Sequence, residues 1–233
     1  MEKSAFMDQA LTSLRLLPLT PVAIEPTLSR IEAQGGVIDI DVYRCEKIEK
    51  VVLCSIRLHE TGVLEQTVLA WPDEHHNFPI LWCNLTVVPS VMNVPIFDFI
   101  PLMDIVVWPD YAATYIAGVQ ELKSRALETL GDAVIDKAVD LPSLTIYTLS
   151  PYRVVCNIKD DGVEKVPSII DIYIQAYAQL WRSAQPVTGT DRDFYLKKRA
   201  ATRSLMKGND PGYPFMVDVF GEENTARVFD TVF

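Results

Sequence analysis

Apolar residues crowd into two long runs near the middle of the chain, Phe78 to Val88 and Val94 to Val107, parted by a Pro89-Ser90 corner. Runs so rich in Ile, Val, Leu and Phe predict strands covered on both faces, because a half-exposed strand alternates apolar with polar residues. They mark the centre of a sheet. Three polar residues interrupt them: Asn84, Asp98 and Asp104. Left buried without a partner, each would cost about 1–3 kcal/mol, so each predicts a hydrogen-bond partner, a ligand or a place at the edge of the layer.

Strand-length runs also occupy Val37 to Arg44, Lys50 to His59 and Leu64 to Trp71, separated by turns at Cys45 to Glu49 and Glu60-Thr61-Gly62. With the central pair they predict an antiparallel meander of about five strands. Ser143 to Thr148 and Tyr152 to Ile158 read as a further strand pair about a Ser150-Pro151 corner, followed by an Asp160-Asp161-Gly162 turn.

The remaining segments carry the helical period. Ser4 to Leu17 places Phe6, Met7, Ala10, Leu11, Leu14 and Leu17 on one stripe and stops near Pro18; Leu28 to Gln34 reads as a short helical turn. Pro109 to Gly131 and Val166 to Ser183 are longer amphipathic helices, and Arg192 to Met206, Pro214 to Phe220 and Glu222 to Phe233 make the last third helical. Strands first, then helices that must cover both faces of one sheet, predict an α/β fold: a three-layer α/β/α sandwich with a central antiparallel sheet, in a single domain over residues 1–233.

Charge narrows the partners. Lys plus Arg number 21 against 31 Asp plus Glu, a net charge of −10, which argues against a nucleic-acid binder or a protein that adheres to anionic lipid. Cys45, Cys54, Cys83 and Cys156 stand singly, without CxxC or CxxH spacing, so they read as reduced core residues and not as zinc, iron-sulfur or disulfide ligands. The start, MEKSAFMDQALTSLRLL, lacks the basic and apolar regions of a signal peptide, and no window reaches the roughly 20 apolar residues that span a bilayer. The reading is a cytoplasmic protein, or a plastid one if of plant or algal origin, with no membrane segment.

Motif chemistry is sparse. The ten glycines form no GxGxxG or GxxxxGK loop, and HExxH and GxSxG are absent. His75-His76 beside Asp73 and Glu74 has the composition of a metal site, but neighbours on an extended segment point to opposite sides, so a solvated loop is the better reading. In the C-terminal third, Lys197, Lys198, Arg199, Arg203 and Lys207 concentrate five positive charges in an acidic chain, followed by Asn209-Asp210-Pro211. They form either a solvated helix face or a site for an acidic ligand or acidic protein partner. Asp210 by itself reads as a turn residue, because Asx-Pro pairs start turns.

Three stretches go further. FDFIPLMDIVVWPDY, LPSLTIYTLSPYRV and DPGYPFMVDVFGEENTARVF, in that order and spacing, resemble the ferredoxin-dependent bilin reductases and their relative, red chlorophyll catabolite reductase. The resemblance implies an α/β/α sandwich that binds an open-chain tetrapyrrole between the sheet and the C-terminal helices. It implies reduction through radicals, with single electrons from reduced ferredoxin and no metal, flavin or nicotinamide bound. Asn84 falls where phycocyanobilin-forming members have an aspartate, the chlorophyll catabolite enzyme has a glutamate, and some members that reduce the bilin A-ring have asparagine. Asp210 matches the C-terminal aspartate beside the ligand, and becomes the expected proton donor. Ser55 and Thr67 replace a glutamate and a histidine of the phycocyanobilin-forming pattern, which removes the basis for D-ring chemistry. With Lys207, Arg203 and Phe215 they are expected around the substrate. The leading expectation is ferredoxin-dependent reduction of biliverdin or a dihydrobiliverdin at the A-ring side. Reduction of a chlorophyll catabolite and non-catalytic bilin binding are the alternatives.

Overall fold

The computed structural model describes residues 4–136 and 144–233. The first seven strands are β1 (Thr20–Pro21), β2 (Arg30–Ala33), β3 (Gly36–Cys45), β4 (Ile48–Leu58), β5 (Leu64–Pro72), β6 (Ile80–Val88) and β7 (Met92–Ile100). The short β8 (Val134–Asp136), β9 (Val154–Val155) and β10 (Asn157–Ile158) complete one antiparallel sheet. Hydrogen bonding runs in the order β1-β3-β4-β5-β6-β7-β10-β8, with β2 beside β3 and β9 beside β7. The helices in chain order are α1 (Ala5–Ser13), α2 (Pro26–Ser29), α3 (Pro109–Tyr111), α4 (Val119–Leu130), α5 (Asp160–Val163), α6 (Val166–Ser183), α7 (Gly189–Gly208), α8 (Tyr213–Phe220) and α9 (Glu222–Val232).

Because side chains alternate along a strand, each central strand feeds two cores. Leu81, Cys83 and Leu85 of β6 and Phe97 and Phe99 of β7 pack on one face under α1, α4 and α6. Ile80 of β6 and Val94, Ile96 and Ile100 of β7 pack on the other, under α7, α8 and α9. The result is the three-layer α/β/α sandwich. On the first face α6 buries Ile169, Ile170, Tyr173, Ile174 and Tyr177 among other residues, and Tyr173 meets Phe97 and Phe99 at ring separations of 5.1 and 5.8 Å. Each such side chain contributes about 1.5–3 kcal/mol when fully buried, so this one helix dominates the cohesion of its layer.

Several predicted boundaries move. The second central strand ends at Ile100 and not at Val107. There Pro101 has no N–H to continue the ladder, the Leu102 N–H goes to Tyr111 Oη at 2.9 Å, and Asp104 Oδ1 accepts from the N–H groups of Val106 and Val107 at 2.8 and 3.0 Å. Val106 is consequently 84% exposed despite its place in an apolar run. Ser143 lies outside the described residues, and Leu144–Thr148 is a 3-10 helix instead of a strand. Of the turn expected over Leu28 to Gln34, Pro26–Ser29 is helical, but Arg30–Ala33 is a strand that hairpins onto β3. The helix expected over Pro109 to Gly131 is broken by a π-helical turn at Ala112–Ile116.

Asp98 finds its partner across the sheet edge. Fully buried, it accepts from Ser150 Oγ at 2.5 Å and the Ser150 N–H at 2.6 Å, which ties the segment before β9 to β7. Burial still pushes its carboxyl up to about 6, against the opposing pull of those two donors.

Candidate active site

Asn84 sits in the middle of β6 and is 3% exposed. The register pairs Thr67 with Asn84 and Glu65 with Thr86, while Cys54 of β4 pairs with Thr67 and Ile56 with Glu65. Strand alternation therefore brings Cys54, Ile56, Glu65, Thr67 and Asn84 to the α8–α9 face. The amide is held from three sides. Its Nδ2 donates to Glu65 Oε1 at 3.2 Å and to Thr67 Oγ1 at 2.9 Å, and its Oδ1 accepts from Thr86 Oγ1 at 3.1 Å.

The opposite wall comes from the C-terminal third. Asp210 leaves the end of α7 in the loop before α8, and its Oδ1 accepts from the Gly212 N–H at 2.8 Å, the turn that Pro211 favours. Met216 of α8 and Val228, Phe229, Val232 and the terminal Phe233 complete an apolar lid over the cleft. Tyr213 and Phe229, edge to face at 4.9 Å, join the two helices, and Lys50 Nζ donates to Thr231 O at 2.7 Å near the C-terminus of α9. The water-sized space within the cleft is about 40 Å³. That is room for about two or three waters, against the several hundred Å³ of a typical small-molecule pocket.

Two carboxyls converge in this cleft. A methyl group on Gly212 would lie 3.1 Å from Asp210 Oδ1 and 3.9 Å from Glu65 Oε2, so a glycine lets the acids approach. Burial and the facing Asp210 charge push the Glu65 carboxyl up to about 7, offset in part by the Asn84 hydrogen bond. Burial also raises Asp210, against the Gly212 N–H. Two neighbouring carboxylates with little water around them resist double ionisation, so the pair retains a proton near neutral pH and can donate it.

Of the residues expected from sequence, Asn84, Thr67 and Asp210 meet here. Ser55 does not: it pairs with Asp39 and Gln66, and lines a separate depression under α1 with Ser4, Met7 and Leu11. With a period of two, it is Cys54 that faces the cleft. Phe215 is 67% exposed on α8, and the cleft takes its neighbour Met216. Four of the five basic residues are engaged within the chain. Arg203 pairs with Glu49 at 3.2 Å and lies 4.8 Å from the Trp71 ring, Arg199 shares both partners, and Lys207 is ion-paired to Asp230. Lys198 donates to Met103 O at 3.1 Å, and Lys197 is exposed. Glu65 is the residue that sequence reading missed. Its signal was its place two positions before Thr67, hence on the same face.

A sequence model of the ferredoxin-dependent bilin reductases matches residues 8–233. The chain belongs to that family. It is an oxidoreductase of the bilin reductase type, with ferredoxin as electron donor and a bilin as acceptor. No curated protein matches the chain in sequence. Among solved structures, the bilin reductase fold matches selenomethionine phytochromobilin synthase from tomato in complex with biliverdin, with a TM-score of 0.79 at 18% identity, over 96% of this chain and 79% of that one. Among the described residues of this bilin reductase, no group of three or more His, Cys, Asp and Glu side chains is placed to hold a metal ion, and no helix is long and apolar enough to cross a membrane.

Proposed function

We propose that this bilin reductase acts on biliverdin or a dihydrobiliverdin at the A-ring side, with Asp210 as the proton donor and Asn84 on the sheet opposite. The observation that carries the reading is the place of Asp210 on the wall of the cleft between the sheet and the C-terminal helices, where burial disfavours its charged form. An amide cannot deliver a proton to a reducing substrate, whereas a carboxyl whose charged form burial disfavours can.

The reaction balances simply. Two reduced ferredoxins each lose one electron, the bilin gains two electrons and two protons, one double bond of the conjugated system is lost and two C–H bonds form. A bilin that has taken one electron is a stronger base than its parent, so the first proton moves from Asp210 as the radical forms. Solvent recharges the acid. The apolar side chains of Met216, Phe229 and Val232 supply surfaces for the tetrapyrrole faces. A tetrapyrrole needs more room than the roughly two or three waters the cleft holds, so its admission is expected to widen the gap between the sheet and the C-terminal helices.

A second reading, reduction of a chlorophyll-derived open-chain tetrapyrrole, is favoured by one observation. The resemblance gives the chlorophyll catabolite enzyme a glutamate at the position of Asn84, and here the Glu65 carboxyl is hydrogen-bonded to Asn84. Offering both substrates under anaerobic reduced ferredoxin separates the two. With the preferred one, Asp210→Asn is expected to bind normally, keep its Tm, and turn over about 10²–10⁴-fold more slowly while a radical accumulates. Near-normal turnover in that variant would remove Asp210 from the role.

A further inference from the structure

We propose that Glu65 is a second proton-handling group of this site, paired with Asp210, and that Asn84 is the positioning residue that aims it. The inference rests on the bilin-reductase reading above and extends it to a residue that the family resemblance left unassigned. Its basis is the way Glu65 is held. Both Nδ2 protons of Asn84 are committed, one to Glu65 Oε1 at 3.2 Å and one to Thr67 Oγ1 at 2.9 Å, while Thr86 fixes the amide oxygen. With Oε1 bound on the sheet side, Oε2 lies toward Gly212, which also borders Asp210 Oδ1.

That arrangement is costly for a residue with only a structural task. A carboxylate placed for stability sits in water or beside a cation, and no Lys, Arg or His lines this cleft among the described residues. The titratable groups facing Glu65 are Asp210, from the loop before α8, and Cys54 of β4; its other neighbours are the uncharged Asn84, Thr67, Ile56 and Met216. Two acids face each other without a counter-charge, so one proton stays between them. Groups perturbed in this way by burial plus a specific charge concentrate where proton transfer is performed.

A two-electron reduction consumes two protons, and the pair holds one. That proton leaves from Asp210 as the first electron arrives. Water then reloads the pair through Glu65, whose proton goes to the second C–H bond. Electrons come from two reduced ferredoxins, which leave oxidised.

Glu65→Gln tests this, because a glutamine Oε1 still accepts from Asn84 while the proton is lost. In the ligand-free protein, wild type minus Glu65→Gln is expected to contain an infrared carbonyl band of a protonated carboxyl that titrates near neutral pH, beyond the Asp98 band common to both. Asp210→Asn is expected to move that transition to lower pH. With biliverdin and reduced ferredoxin, Glu65→Gln is expected to bind within a few-fold of wild type and to lose about 10²–10⁴-fold in rate. Glu65→Asp, which keeps a carboxyl on a shorter stem, is expected to recover part of the rate and the titration, and it serves if the glutamine variant does not fold. Wild-type rate and an unchanged carbonyl titration in Glu65→Gln would overturn the proposal while leaving the bilin-reductase reading intact. A wild-type protein that reduces no open-chain tetrapyrrole would overturn that reading and this proposal with it.

Discussion

Asn84→Asp places a third carboxyl in the cleft, and the structure sets the scale of the consequence. The new oxygen takes the place of Nδ2, 3.2 Å from Glu65 Oε1. At that distance and an effective dielectric of about 20, two full charges repel by about 5 kcal/mol, a several-thousand-fold change in proton affinity. Solvent at the half-buried Glu65 makes this a ceiling. The folded variant therefore keeps a proton that the unfolded chain has released between about pH 4 and pH 8, so its stability falls as pH rises through that window. Glu65, already raised from 4.5 to about 7, contributes in the same direction. Half the ceiling, at about 2–4 °C per kcal/mol for a chain of this size, lowers Tm by roughly 5–10 °C. Thermal denaturation of wild type and variant at about pH 5 and about pH 8 reads it directly. The deficit is expected to be small at the acid pH and several degrees larger at the alkaline one. An equal deficit at both pH values would refute the placement of Asn84 against an ionisable Glu65.

Two further perturbations follow from buried groups away from the cleft. Ser150→Ala removes the hydroxyl that donates to Asp98 at 2.5 Å and leaves the N–H at 2.6 Å. A hydrogen bond to a charged group contributes about 1.5–3 kcal/mol, so urea denaturation is expected to show that loss above pH 6, where Asp98 is ionised, and a smaller one below it. Burial, then the Arg203 charge, lower Lys50 from 10.5 to about 7, so the unfolded chain binds more protons than the folded one between those values. Wild-type stability relative to Lys50→Met is therefore expected to rise with pH across that window and to stay level below about 7.

The layers were legible because burial leaves a local signature. The unbroken apolar run around Leu81, Cys83 and Leu85 predicted a strand covered on both faces, and the stripe from Ile169 to Tyr177 predicted a helix and the face it buries. Asp210 was legible only through the family resemblance, since an Asp-Pro turn announces no chemistry, whereas Asn84 stood out as a polar residue inside an apolar strand and took only its expected role from the resemblance. Glu65 was hidden by its neighbours. Within Leu64, Glu65, Gln66 and Thr67 it reads as an exposed strand end, and what covers it is α8, α9 and Asp210 from the far end of the chain. The same distance effect misled the charge count, because Glu49 and Asp230, remote in sequence, engage Arg199, Arg203 and Lys207. Ser55 came from matching positions, which carries no information about faces; a step of one residue along β4 exchanges the cleft for the α1 side.

The central claim is that this cleft reduces a bilin with ferredoxin electrons and carboxyl protons. The most direct measurement is anaerobic incubation of the protein with biliverdin and photoreduced ferredoxin, counting electrons consumed while the product mass is read. The account predicts a shifted visible spectrum and a gain of two hydrogens for every two electrons. A bound bilin whose spectrum and mass stay constant as ferredoxin is oxidised and reduced again would contradict it.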